Sequence, residues 1–207
     1  NIASFNKDTY TYDLGDVENS KTSININAVV EDTDKAIITA ADLGDKNLNV
    51  GDNTFTIHVT AEDATTAKTY TIKVHRKSKD TLLKSLTVTS TPANHGSLNT
   101  TLVPTTNTGY KFTYDELATN INVSATVNDT DKAYVTIVDA NSSETGTNTL
   151  NTATKTFATS VTIINVIVTA EDGTINTYTI TTERQKSTDS TLSALTELKA
   201  AASSFAV

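Results

Sequence analysis

The chain has 207 residues, no Cys, Met or Trp, and a formal net charge of -8. That acidic balance argues against nucleic acid and anionic membrane surfaces as partners. It has no run of about 18 apolar residues for a membrane span, and the lack of Cys excludes disulfides and thiolate metal sites. The length suits one large domain or two of about 100 residues, each able to bury a modest core.

Thr, Asn, Ser, Val and Ile dominate. β-branched residues favour strands, and Asn, Asp and Gly favour the turns between them, so the composition predicts an all-β protein. The sequence starts at Asn1 and lacks Met, which reads as a processed or excerpted chain.

In chain order, Tyr10, Tyr12 and Leu14 open an apolar/polar alternation. Ile24, Ile26, Ala28 and Val30 alternate next, predicting a strand with one buried face. The turn Glu31–Ala36 leads to a short strand at Ile37–Ala40. The stretch around Gly44 and Gly51 reads as a loop or bulge. Phe55, Ile57, Val59 and Ala61 then alternate, an acidic turn follows, and Tyr70, Ile72 and Val74 close the pattern. The result is about six strands at sandwich spacing.

His75–Lys84 is charged and polar and reads as a junction. Beyond it the pattern restarts. Leu83, Leu86 and Val88 predict an opening strand, and Thr89–Thr108 a long loop containing Pro92 and Pro104. Phe112 and Tyr114 are matched to Tyr10 and Tyr12. The strand from Ile121, then Ile164, Val166, Val168 and Ala170, then Tyr178 and Ile180 repeat the earlier order.

The hairpin VTAEDATTAKTYTIKVHR at Val59–Arg76 returns as VTAEDGTINTYTITTER at Val168–Arg184. DTDKA recurs from Asp32 to Asp129, and VTAED from Val59 to Val168. The second spacing is longer by about twelve residues, assigned to a surface-loop insertion in the NSSETGTNTLNTATKT region. KSKDTLLKSLTV at Lys77–Val88 is matched by KSTDSTLSALTE at Lys186–Glu197. The expected domains are therefore residues 1–76 (a sandwich lacking its first strand), residues 77–184 (a complete sandwich) and residues 185–207 (an extension resembling the first strand of a further repeat).

These residues resemble the cadherin-like β-sandwich domain of bacterial secreted and surface proteins. The resemblance rests on Leu83, Leu86 and Val88; Phe5, Tyr10 and Tyr12; Gly51, Asn53, Phe55, Ile57 and Val59–Asp63; Tyr70–Arg76; and Val168–Gly173 with Tyr178–Arg184. It covers nearly the whole chain. Ser160 and Thr162 depart from the pattern set by Gly51 and Asn53, and Glu197 stands where the family has Val. The resemblance implies two tandem Ig-like antiparallel β-sandwiches, an extracellular or cell-surface location, and a structural role without a catalytic site; the role is an analogy of fold.

Several residue groups admit a functional reading. Glu31, Asp32, Asp34, Glu62 and Asp63, and Asp129, Asp131, Glu171 and Asp172, offer oxygens for Ca2+. Turn carboxylates also cap backbone N–H groups, and with no EF-hand loop and a basic junction at Arg76, Lys77 and Lys79 the expectation is no cofactor. His58, His75 and His95 read as solvated side chains rather than ligands or catalysts. No G-x-S-x-G, H-E-x-x-H or P-loop pattern is present, so no enzyme is expected. Tyr10, Tyr12, Phe112 and Tyr114 are weighed as a carbohydrate-stacking platform and assigned to packing because they recur in phase. N-x-[ST] sequons stand at Asn99, Asn122, Asn128 and Asn141, as expected by chance in so Asn- and Thr-rich a chain.

The extension carries the sharpest expectation. Leu192, Leu195, Leu198, Phe205 and Val207 form a candidate donor strand that fills the first domain of another copy. Such head-to-tail contacts propagate a polymer of self-associating subunits. Two alternatives stand beside it. The chain is an excerpt of a longer tandem-repeat adhesin or carbohydrate-binding stalk with a carbohydrate or surface ligand, or LTELKAAASS forms a short helix.

Overall fold

The computed structural model describes residues 2, 4–103, 105–186 and 190. The chain is all-β, and its one helical piece among the described residues is a 3-10 turn at Ala40–Asp42. No helix among those residues is long and apolar enough to cross a membrane.

The first half contributes β1 (Thr11–Val17), β2 (Ser23–Ile26), β3 (Ile37–Ile38), β4 (Gly44–Asn47), β5 (Gly51–Thr60) and β6 (Ala67–Arg76). One sheet has the order β1-β6-β5-β3, and β2 pairs with β4 in a second. The Val59–Arg76 repeat is an antiparallel hairpin of β5 and β6, with Phe55 opposite Ile72 and Ile57 opposite Tyr70. Its inward residues meet the other sheet in a small core of Ile26, Ile57 and Ile72, with Ile24, Ala28, Phe55, Val59 and Tyr70 half-buried around it.

The second half contributes β7 (Leu83–Thr91), β8 (Gly96–Leu98), β9 (Tyr110–Tyr114), β10 (Asn120–Val127), β11 (Tyr134–Asp139), β12 (Thr149–Leu150), β13 (Thr152–Ala158), β14 (Ile163–Thr169) and β15 (Ile175–Arg184). A sheet β13-β10-β7 packs on a sheet β12-β11-β14-β15-β9-β8. Strict alternation on β10 sends Ile121, Val123, Ala125 and Val127 into one continuous core with Leu83, Tyr110, Phe112, Ile164, Val166, Tyr178 and Ile180. The fold is thus two tandem β-sandwiches with cores of very different size.

Some local expectations shift. The supposed loop at Gly44 forms β4, and the supposed insertion loop carries β12 and β13, which pair with β11 and β10. The long Thr/Asn loop holds β8. Each sandwich also has one parallel pair, β1 with β6 and β9 with β15. Tyr12 lies opposite Ile72, and Tyr110 opposite the equivalent Ile180, so Tyr12 matches Tyr110 rather than Tyr114. An irregularity between Asp13 and Asp16, where Gly15 takes a left-handed φ of 70°, changes the count.

Candidate assembly site

The two sandwiches differ most beside one equivalent strand. The DTDKA turn follows both β2 and β10, so Ile24, Ile26, Ala28 and Val30 correspond to Ile121, Val123, Ala125 and Val127. β10 has a neighbour on each edge: β13 on one and β7 on the other. β2 has β4 on the first edge and, among the described residues, no strand on the second. On β7, Leu83 faces Val127, Leu86 faces Ala125 and Val88 faces Val123, and all three are buried. Without such a cover Ile24, Ala28 and Val30 are only half-buried, while their counterparts are fully enclosed. An open edge of this kind presents unpaired backbone donors and acceptors next to apolar surface.

The same sandwich carries an aromatic cluster. Phe5 stacks on Tyr12 with ring centroids 5.6 Å apart, and both Phe5 and Tyr10 approach Tyr70, at 5.9 and 5.5 Å. Phe5 is 63% exposed and Tyr10 43%. The corresponding part of the second sandwich is sealed. Tyr178 is fully buried, and its hydroxyl accepts the Leu83 N–H at 3.1 Å. Tyr110 is closed over by its hydrogen bonds to the carbonyls of Val103 and Thr106, and Phe112 lies against Gly96. Phe112 and Tyr114 are therefore core, as their repetition predicts, whereas Tyr10 is surface.

A second cluster joins the two sandwiches. His75 on β6 places Nδ1 2.5 Å from Asp52 and Nε2 3.0 Å from Glu171, in the acidic turn of the second sandwich. Glu171 also accepts the Ser78 N–H at 2.9 Å and pairs with Lys132 at 3.2 Å. His75 is only 17% exposed and Glu171 11%, so His75 is not the solvated residue its polar strand phase predicts. The Asp52 and Glu171 hydrogen bonds hold the imidazolium above the ordinary His range. Burial pushes the Glu171 carboxyl up, but the Ser78 amide, His75 and Lys132 together bring it below the usual value. Arg76 braces the same joint by donating to the carbonyls of Asn19 and Leu48.

The remaining candidates resolve into local roles. Asp63 caps Thr66 and Thr65, and those hydrogen bonds, chiefly from Thr66, lower its carboxyl to about 2. Asp172 accepts from Thr174 in the equivalent turn, and Asp32 from the Asp34 N–H. Among the described residues, no group of three or more His, Asp or Glu is arranged to hold a metal ion. His58 pairs with Asp42 and His95 with Asp115. An open groove beside Ser143–Thr147 and Thr152–Lys155 offers hydroxyls, Glu144 and Lys155, but no aromatic face. The donor-strand residues Leu192, Leu195, Leu198, Phe205 and Val207 lie outside the described residues.

Residues 1–77 match the sequence model of the cadherin-like beta sandwich domain. That stretch is a cadherin-like domain. Its boundary falls at the first residue after β6, so the matched stretch contains both the edge of β2 and the aromatic cluster. No curated protein matches the sequence. Similar solved structures include a chimeric titin Z1Z2-Z1Z2 tandem functionalised with a GRGDS peptide from fibronectin (11% identity, 81% of this chain and 86% of that one, TM-score 0.30). Fibronectin(III)-like modules of Clostridium thermocellum CbhA share 13% identity over 87% of this chain and 94% of theirs, at TM-score 0.24. Bacteroides ovatus SGBP-B, solved with a mixed-linkage heptasaccharide, shares 10% identity over 88% and 70%, at TM-score 0.22. At these scores the neighbours carry no argument about what the chain does.

Proposed function

We propose that the chain is a non-enzymatic structural subunit of an extracellular fibre, appendage or surface array. Residues 1–76 form the acceptor domain, residues 77–184 a complete domain, and residues 185–207 a donor extension. Subunits join when the extension of one copy adds to the open edge of β2 in the next, with Leu192, Leu195, Leu198, Phe205 and Val207 as its apolar residues. The observation that carries this reading is the contrast between β2 and β10. The edge that β7 fills beside β10 has no strand beside β2 among the described residues, and the sequence that leads into and forms β7 recurs at 186–197.

By repeat position Leu192 takes the place of Leu83 and Leu195 that of Leu86, opposite Val30 and Ala28. Burying each Leu contributes about 1.5–3 kcal/mol. Two such residues plus a strand's backbone hydrogen bonds reach the range of a micromolar contact, about 8 kcal/mol, less the cost of ordering the extension. The test is deletion of 187–207. The shortened chain is expected to stay soluble, to remain monomeric where the full chain polymerises, and to unfold its first sandwich at lower temperature. Equal assembly and equal melting of both chains would contradict the proposal.

One observation favours a second reading, a surface-binding or adhesin module. Among the described residues, the exposed ring cluster of Phe5, Tyr10, Tyr12 and Tyr70 occurs in the first sandwich alone, and aromatic faces bind sugars by stacking. Lys68 stands 5.5 Å over the Tyr10 ring, which covers part of that face and lowers the weight of this reading. Titration with oligosaccharides, followed by tyrosine fluorescence and by melting temperature, separates the two. Saturable binding abolished by Tyr10→Ala would support the second.

A further inference from the structure

The two sandwiches are tied together at one peptide plane. The Lys77 carbonyl accepts the Asn19 side-chain amide at 2.9 Å, and the Ser78 N–H of the same plane donates to Glu171 at 2.9 Å. On either side, the Lys77 N–H donates to the Val17 carbonyl, and the Ser78 carbonyl accepts the Asp172 N–H. Lys77 is thus fixed to the first sandwich and Ser78 to the second. The two hydrophobic cores share no residue. Among the described residues, the hydrogen-bonded bridge between sandwiches that bypasses this linker runs from His75 to Glu171.

That bridge depends on the charge of its imidazole. Nδ1 meets Asp52 at 2.5 Å and Nε2 meets Glu171 at 3.0 Å, and only the imidazolium has an N–H on both nitrogens. A neutral ring turns one lone pair toward a carboxylate. Each carboxylate then has other partners. Asp52, the cross-strand neighbour of His75, is 91% exposed and open to water. Glu171 keeps Lys132 and the Ser78 amide, neither of which belongs to the first sandwich. Asp16 from β1 and Lys77 from the linker complete the charged set, attracting Lys132 and Glu171 respectively. Losing the proton therefore leaves each side satisfied without the other and removes a charge-assisted hold between them.

The repeat shows that this arrangement belongs to the joint and not to the fold. Glu183 stands where His75 does in the second copy of the hairpin, and it pairs with Lys111 instead. Glu62, the counterpart of Glu171, is exposed. The other two histidines pair inside a single sandwich, His58 with Asp42 and His95 with Asp115.

We infer that His75 is a proton-operated clasp, holding the two sandwiches at one angle when its imidazole is charged and letting them swing about the Lys77–Ser78 peptide when it is neutral. The inference stands apart from strand addition, since every group it uses lies within one chain. Asp52 and Glu171 hold the imidazolium above the ordinary His range. The clasp is therefore closed at about pH 6.5 and opens as pH rises through a higher value. The chain is a stiff rod in mildly acid surroundings and a jointed one in alkaline surroundings.

The experiment measures the distance between the sandwiches in the full 207-residue chain. The chain has no Cys of its own, so spin labels on Thr56→Cys of β5 and Thr89→Cys of β7, both exposed, report that distance by double electron–electron resonance. At about pH 5.5 one narrow distance is expected. At about pH 8.5 arrangements outside it should rise about fivefold in population, the equivalent of roughly 1 kcal/mol. His75→Gln should show the broad distribution at both pH values, and His75→Lys, which keeps a cation, the narrow one at both. Circular dichroism checks that each protein keeps its β signal. Equal widths at both pH values in the chain that keeps His75, or broadening that still follows pH in either variant, overturn the clasp.

Discussion

The joint between the sandwiches makes a pH-dependent prediction whose sign follows from the geometry. His75 lies between Asp52 and Glu171, whose hydrogen bonds raise its pKa in the folded chain. A raised pKa contributes stability that is fully present below the unfolded value, near 6.5, and is lost as pH rises through the folded value. Glu171 has the opposite sign. Its lowered pKa contributes stability above about 4.5 that is lost as pH falls through the folded value. The joint is therefore firmest from about pH 5 to 6.5.

Deprotonating His75 replaces charge-assisted hydrogen bonds, worth about 1.5–3 kcal/mol, with neutral ones worth about 0.5–1.5. The net loss is about 1 kcal/mol, or roughly 2–4 °C in melting temperature for a chain of this size. Differential scanning calorimetry of the unmodified chain and His75→Gln at pH 5.5 and pH 8.5 is the assay. The unmodified chain should exceed His75→Gln by that margin at pH 5.5, and the gap should shrink at pH 8.5. A gap equal at both values would refute the charged role of His75. The neighbouring charges Asp16, Lys77 and Lys132 are present in both proteins and cancel in the difference.

Two further predictions concern packing. Val88 faces Val123 in the core of the second sandwich, and Glu197 stands at the equivalent position of the sequence repeat, so the strand addition proposed above would bring a carboxylate against Ile26. Glu197→Val should tighten assembly by about 1–3 kcal/mol, read as a lower critical concentration in sedimentation. A Cβ on Gly96 would lie 2.4 Å from the Phe112 ring, which is fully buried. Gly96→Ala should destabilise the second sandwich by about 1–3 kcal/mol in urea unfolding while leaving the first unchanged.

The sequence revealed what is local and periodic. The alternation of Phe55, Ile57 and Val59 and of Tyr70, Ile72 and Val74 predicted the β5–β6 hairpin because strand period and turn chemistry are both written in adjacent residues. β4, β8 and β12 were hidden because two- to four-residue strands in Thr- and Asn-rich stretches have too few apolar residues to show a period. The parallel pairing of β1 with β6 was hidden because alternation says nothing of a partner's direction. His75 was misread because its partner Glu171 is 96 residues away, so only the fold brings them together. At the candidate site, the repeat offset pointed to a first sandwich without its opening strand, and the strand order then located the uncovered edge beside β2. The contacts of residues 5–7 with Tyr12 and Tyr70 have no sequence signature, since hydroxyl-to-backbone hydrogen bonds ask only for a Tyr at the right height.

The central claim is that the open edge of β2 takes the 186–198 segment of another copy in the register of β7 on β10. Ser124 lies opposite Thr87, so that register places Asn27 opposite Thr196. The protein has no Cys of its own, which makes a designed pair unambiguous. Oxidation of the Asn27→Cys, Thr196→Cys double variant should give a ladder of dimers, trimers and longer species on non-reducing gels. The shifted pair Asn27→Cys, Glu197→Cys, whose side chains leave opposite faces of the sheet, should not. A monomer-only product, or equal ladders from both pairs, would contradict the account.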